Sequence, residues 1–227
     1  MTTTLSFGDR LAGSPVHQNF QDHPFFAAVN NADLTKEQAA ILIEQWWHPL
    51  HYFPTFLARC VATLPDIASK SAITRILNQE AGGGIVSQAH EVIYVDSMEK
   101  CGFDRDRVTG TEPYAETAAL VEGYKNASDS RESALGFIFA TETTDLLMVS
   151  SIGKAIERTT GITDNEWVNI HVQQEPDHVE EANNTLLDNF TAEQEDAVLS
   201  AANEMWRLWT AFFDRLVAES GVGAPAR

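Results

Sequence analysis

"ALGFIFATETTDLLMVSSIGKAI", residues 134–156, is apolar on nearly every side of a helix. A helix with no polar face is normally buried among other elements. Two acids, Glu142 and Asp145, nevertheless stand in its middle, and no lysine or arginine lies between Arg131 and Lys154 to pair with them. A buried carboxylate without a partner is costly enough that it protonates, finds a cation or binds a metal. Glu142, with Ile138, Phe139 and Leu146 as helical neighbours, is the stronger candidate ligand. Asp145 reads as an acid at the edge of the same pocket.

Outward from this segment the pattern stays helical. Strict alternation is scarce, and the apolar spacing places helices at 15–30, 36–63, 69–80, 86–101, 113–126, 130–158, 164–188 and 192–219. "TKEQ" at 35–38, "TDNE" at 163–166 and "TAEQ" at 191–194 read as capping boxes, Asp129 with Glu132 as a similar start, and Pro113 as a first-turn residue. "CGFDRDRVTGTEP", 101–113, reads as the longest irregular stretch. With 227 residues, 44% of them hydrophobic, the expectation is one all-α domain over 1–227, its core at about 15–219.

Composition removes several function classes. A net charge of −18 disfavours nucleic acid and anionic membrane surfaces, which call for positive charge. No run reads as a membrane span, the N-terminal "MTTTLSFGDRLAGS" does not read as a signal peptide, and Cys60 and Cys101 form no CxxC pair. The expected setting is the cytoplasm.

Two further segments carry metal-ligand chemistry. In "HVQQEPDH", 171–178, His171, Glu175 and His178 fall at i, i+4 and i+7, within about 40° of one direction on a regular helix. Pro176 predicts a kink there. In "LNQEAGGGIVSQAHE", 77–91, Gly82, Gly83 and Gly84 would cost about 1 kcal/mol each inside a helix. They predict a helix end and a new start that let Glu80 and His90 face one point. The set Glu80, His90, Glu142, His171, Glu175 and His178 offers three carboxylates and three imidazoles, a donor set for two iron or manganese ions.

This ordered set resembles the haem-oxygenase-like di-metal oxidases, whose ligands run Glu then His, a lone Glu on a middle helix, then His-x3-Asp/Glu-x2-His. "DHPFFAAVNNADLTKEQAAILIEQWWHPLHYFPTFLA", 22–58, is similar to that family's opening helices. The resemblance implies a seven-to-eight-helix bundle, two Fe ions (or Mn) and O2 as co-substrate. Glu175 replaces the more usual Asp. The seventh carboxylate of N-oxygenating members has no counterpart unless Glu44 supplies it. The cysteine nucleophile of thiaminase-II-like members is also missing from a middle helix.

The implied function is a non-haem di-iron, O2-dependent oxidase or oxygenase. Its expected substrate is a small molecule, an amino acid or amine derivative, oxidised or cleaved at a C–C or C–N bond in specialised metabolism. A fatty-acid substrate, a metal-free quinone-synthase- or thiaminase-like enzyme and a metal-storage bundle stay open, as does a homodimer. Glu44, Trp46, His48, Tyr52 and Asp145 are the candidate substrate-pocket residues. The dense aromatics of "WWHPLHYFPTF", 46–56, read first as core. His17, His23, His48 and His51 read as structural histidines.

Overall fold

The computed structural model describes residues 6–185 and 190–222. They form eleven α-helices: α1 (Phe7–Ala12), α2 (Pro15–Gln21), α3 (Pro24–Asn31), α4 (Lys36–Thr63), α5 (Ile67–Glu80), α6 (His90–Lys100), α7 (Arg105–Gly110), α8 (Ala115–Ala127), α9 (Arg131–Thr160), α10 (Glu166–Thr185) and α11 (Ala192–Ser220). Two 3-10 turns, Gly82–Gly84 and Val86–Gln88, separate α5 from α6, and no strand occurs among the described residues.

Each of the eight expected segments contains a helix, and the three extra helices have local causes. Segment 15–30 divides at His23, whose ring accepts the Phe25 N–H and caps α3 ahead of Pro24. Proline favours a first helical turn because its missing N–H costs nothing there. Helices α1 and α7 have only six residues each, too few for an apolar repeat to show. They are held instead by the Ser6–Asp9 capping box and the Asp104 cap, so the stretch 101–113 is not irregular throughout.

The Thr35 and Thr191 capping boxes form as expected. Elsewhere a neighbour does the capping. The Asn165 side chain accepts from Val168 N–H at 3.2 Å at the start of α10, and Ser130 rather than Asp129 caps α9. Pro113 precedes α8, which starts at Ala115.

Helix α9 forms the centre. By length and composition it could cross a membrane, yet 72% of its most apolar 18-residue window is buried inside the protein. It packs chiefly on α11 and α10, and also on α3 and α4. Gly136 permits the closest of these approaches: a Cβ there would lie 2.5 Å from the Val198 carbonyl oxygen of α11. The hydrophobic core cluster runs from Leu11 to Val222. Its aromatic heart joins Trp46 of α4, Trp167 of α10 and Trp209, Phe212 and Phe213 of α11. Truncating a fully buried member such as Trp209 would cost about 3–5 kcal/mol. Through Trp167 this layer anchors α10, which carries His171 and His178.

Candidate metal centre

The local fold brings distant ligands together by simple means. Glu80 is the last residue of α5 and His90 the first of α6. Between them Gly82, Gly83 and Gly84 all adopt positive φ, at 72°, 61° and 88°, which other residues reach only with strain. Gly82 has a second constraint, because a Cβ there would lie 2.4 Å from the Ala89 backbone nitrogen. The turn therefore folds tightly enough to put His90 Nδ1 3.0 Å from Glu80 Oε2.

Glu142 reaches the same place from the buried middle of α9, and His171 and His178 from one face of α10, which continues across Pro176. All five side chains are buried, at 2–4% exposure. One ligand atom from each of Glu80, His90 and His171 lies within 4.8 Å of the others. His178 Nδ1 lies 3.3 Å from Glu142 Oε2 and 4.0 Å from Glu80 Oε1. The backbone of Glu175 lies on α10 between the two histidines, and its side chain is outside the described residues.

The electrostatics are those of buried acids balanced by imidazoles. Burial pushes the Glu80 carboxyl up, but His90, His171 and His178 outweigh it and hold it down at about 2. Burial lowers His178, yet the hydrogen bond and charge of Glu142, with the charges of Glu80 and Asp145, raise it to about 9. His90 is likewise raised, against burial, by Glu80. His171 is lowered by burial. The donor set fits a cation in two further respects. Glu142 Oε1 is buried with no hydrogen-bond partner, and His90 Nδ1, though close to Glu80, is not aligned for a hydrogen bond. Buried polar atoms are rarely left so.

A narrow cavity of about 30 Å³ opens beside the cluster. Glu80, Glu142, His171 and His178 form its polar end, and Trp46, Leu50, Phe53, Tyr124 and Trp209 its apolar walls. Asp145 and Thr141 also line it, and the Thr141 hydroxyl lies 2.9 Å from that of Tyr124. The aromatics of 46–56 are thus both core and wall.

Trp46 and Asp145 are where the sequence suggests, whereas Glu44, His48 and Tyr52 are not among the lining residues. On α4 the positions facing the cavity are 46, 49, 50 and 53, spaced by three and four as one helical face requires. Glu44 points into a different cavity, where Arg107 pairs with it at 2.8 Å and the Thr111 hydroxyl donates to it at 3.0 Å. Its two oxygens are engaged by Arg107 and Thr111 rather than by the cluster. His48 sits against the Thr111 backbone, and Tyr52 packs on the outside of the core.

The other histidines have structural partners: His17 stacks on Trp206, His23 caps α3, and His51 lies 2.7 Å from Glu91. The sequence reading missed Gln79 and Gln174, which contact His178 and His90 at 2.9 and 3.1 Å. Their signal was only adjacency, since each directly precedes an expected ligand, Glu80 or Glu175.

Comparison with known proteins agrees with this architecture. A family model described as "iron-containing redox enzyme" matches residues 41–210. A 4-chloro-allylglycine synthase of Streptantibioticus cattleyicolor is 24% identical over 198 residues, 83% of this chain and 75% of that protein. Among solved structures, a domain of unknown function with a heme oxygenase-like fold from Shewanella denitrificans superposes with TM-score 0.76 at 21% identity, covering 97% of this chain and 95% of that one. A CADD-like protein of unknown function from Nostoc punctiforme gives TM-score 0.78 at 16% identity over 94% and 95% of the two chains. A TenA homolog from Pseudomonas syringae gives 0.74 at 15% over 94% and 93%. The fold is all-α and haem-oxygenase-like.

Proposed function

The chain belongs to the family of iron-containing redox enzymes, and on that premise we propose that it is a di-iron, O2-dependent oxidase of an amine-bearing small molecule. The observation that carries this reading is the cluster of Glu80, His90, Glu142, His171 and His178, buried at one end of a largely apolar cavity. Glu175, on the same helix, would complete a six-ligand set.

When bound, two iron ions would supply the electrons that reduce O2 and the oxidising power directed at the substrate. The chain's own groups would do the rest. Glu80, Glu142 and Glu175 would offset most of the charge of two divalent ions. His90, His171 and His178 would fill nitrogen positions. Trp46, Leu50, Phe53 and Trp209 would exclude water from the reacting end.

The cavity wall also supports the amine-bearing class over a fatty acid. It presents Asp145 and the Tyr124–Thr141 hydroxyl pair, and no lysine or arginine is among its lining residues. Away from the bound ions, that wall offers an ammonium group acceptors and offers an alkyl carboxylate no side-chain cation. The 4-chloro-allylglycine synthase points the same way, since its product is an amino acid. A thiaminase-like use of the fold finds less support, because neither Cys60 nor Cys101 lines the cavity and burial raises both thiols. The two free thiols also suit the reducing compartment expected of this chain.

The test is anaerobic Fe(II) titration followed by Mössbauer spectroscopy and rapid mixing with O2. It is run on wild type and Glu142→Ala, with amino acids and simple amines as candidate substrates. Two coupled irons per chain and amine-dependent O2 consumption, both lost in the variant, are the expected result. One or no iron per chain, or O2 uptake indifferent to every amine, would overturn the reading.

A further inference from the structure

Three imidazoles face the cluster, and each has one ring nitrogen already engaged. His171 Nδ1 lies 2.8 Å from the Trp167 carbonyl oxygen one turn back on α10. His178 Nε2 lies 2.9 Å from Gln79 Oε1 of α5, and His90 Nε2 lies 3.1 Å from Gln174 Oε1 of α10. In each case the acceptor is neutral, and one ring nitrogen is left for the cluster. For His90 and His178 that nitrogen is Nδ1, at 3.0 Å from Glu80 and 3.3 Å from Glu142.

A carbonyl oxygen can only accept, so with each amide presenting Oε1 the engaged nitrogen keeps its hydrogen, and the opposite nitrogen is the one whose proton a metal ion would displace. We infer that Gln79 and Gln174 are positioning residues that fix the ligating nitrogen: Nδ1 of His178 and of His90, while the Trp167 carbonyl fixes Nε2 of His171. The inference rests on the cluster being a metal site.

The arrangement has a crosswise logic. Gln79 of α5 holds a histidine of α10, and Gln174 of α10 holds the histidine that opens α6. Each amide thus ties its own helix to the ligand of another. Orienting partners of metal-bound histidines are often carboxylates. Amides do the same work here without adding negative charge to a site that already gathers Glu80 and Glu142. Both glutamines border a further cavity at the glycine turn, together with Gly82, Gly83, Gln88 and His90.

Zinc(II) titration of the full chain labelled with 15N-histidine tests this, with ring-nitrogen shifts read by long-range 1H–15N correlation. Wild type is expected to show two imidazoles metallated through Nδ1 and one through Nε2. Gln79→Leu and Gln174→Leu should each lose one Nδ1 signature and bind zinc about 10–100-fold more weakly. Gln79→Glu and Gln174→Glu, which still accept, should keep the signature.

Three Nε2-bound imidazoles in wild type would overturn the inference. So would leucine variants with unchanged shifts and affinity. No zinc-dependent shift in wild type would overturn the metal site itself, so the two failures are distinct. The wild-type pattern decides the nitrogen assignment even where a leucine variant does not fold.

Discussion

Glu44 and Glu142 sit on packed central helices at 6% and 2% exposure, and they are held in opposite ways. Glu44 has a permanent cation, the Arg107 guanidinium, and a hydroxyl donor, Thr111. Glu142 has His178 and one oxygen with no hydrogen-bond partner. A guanidinium is always charged, so it locks its partner as structure. An imidazole can give up its proton and become a ligand, so it leaves its partner available. Burial alone does not separate a structural acid from a candidate site acid; the chemistry of its counter-charge does.

The widest test of this contrast is at Glu142 itself. Glu142→Ala is expected to lower iron(II) affinity by more than about 100-fold, beyond the loss typical of an orienting partner, as measured by anaerobic titration. Unchanged iron stoichiometry would erase the distinction drawn between the two acids.

Next in size is the turn that brings Glu80 to His90. Gly82→Ala places a Cβ 2.4 Å from a backbone nitrogen at φ 72°. It should cost about 2–3 kcal/mol in thermal unfolding. A variant as stable as wild type would mean that the turn relaxes without consequence.

Arg107→Ala removes the cation that Glu44 shares with the exposed Glu37. Because Arg107 is half exposed, the cost should be about 1 kcal/mol, read by denaturant titration, with iron binding untouched. Loss of iron there would show that Glu44 matters to the site after all.

A last test is the pH dependence of the metal-free protein. Glu80, depressed to about 2, contributes stability above pH 4.5 that is lost as pH falls through 2. His178, raised to about 9, contributes stability below pH 6.5 that is lost as pH rises through 9. Denaturant midpoints should therefore be highest between about pH 4.5 and 6.5 and decline toward pH 9. A midpoint that rises from pH 6.5 to 9 would contradict the Glu142–His178 pairing.

The sequence made much of this legible for physical reasons. The long helices announce themselves because α4, α9 and α11 span 28 to 30 residues, enough turns for an apolar pattern to repeat. The short helices α1 and α7 do not. Glu142 stood out because its apolar segment holds no lysine or arginine, and Glu80 and His90 because three glycines imply a turn. Glu44, His48 and Tyr52 share α4 with the cavity wall without lining it, because proximity along a helix says nothing about which face turns inward. Gln79 and Gln174 escaped notice because a neutral amide on a helix has no distinctive pattern until its histidine partner is in view.

The apolar girth of α9 also bears on how the chain is made. Its principal neighbours, α10 and α11, lie after it in sequence. During synthesis, at about 5–20 residues per second, α9 emerges seconds before the segments that cover it. Until Ala192–Ser220 follows, this long apolar rod has only earlier elements such as α3 and α4, then α10, to cover it, and the face that α11 will bury is open to aggregation with its copies. Expression that slows elongation late in the chain lengthens that interval. A chain stopped before residue 192 would never end it.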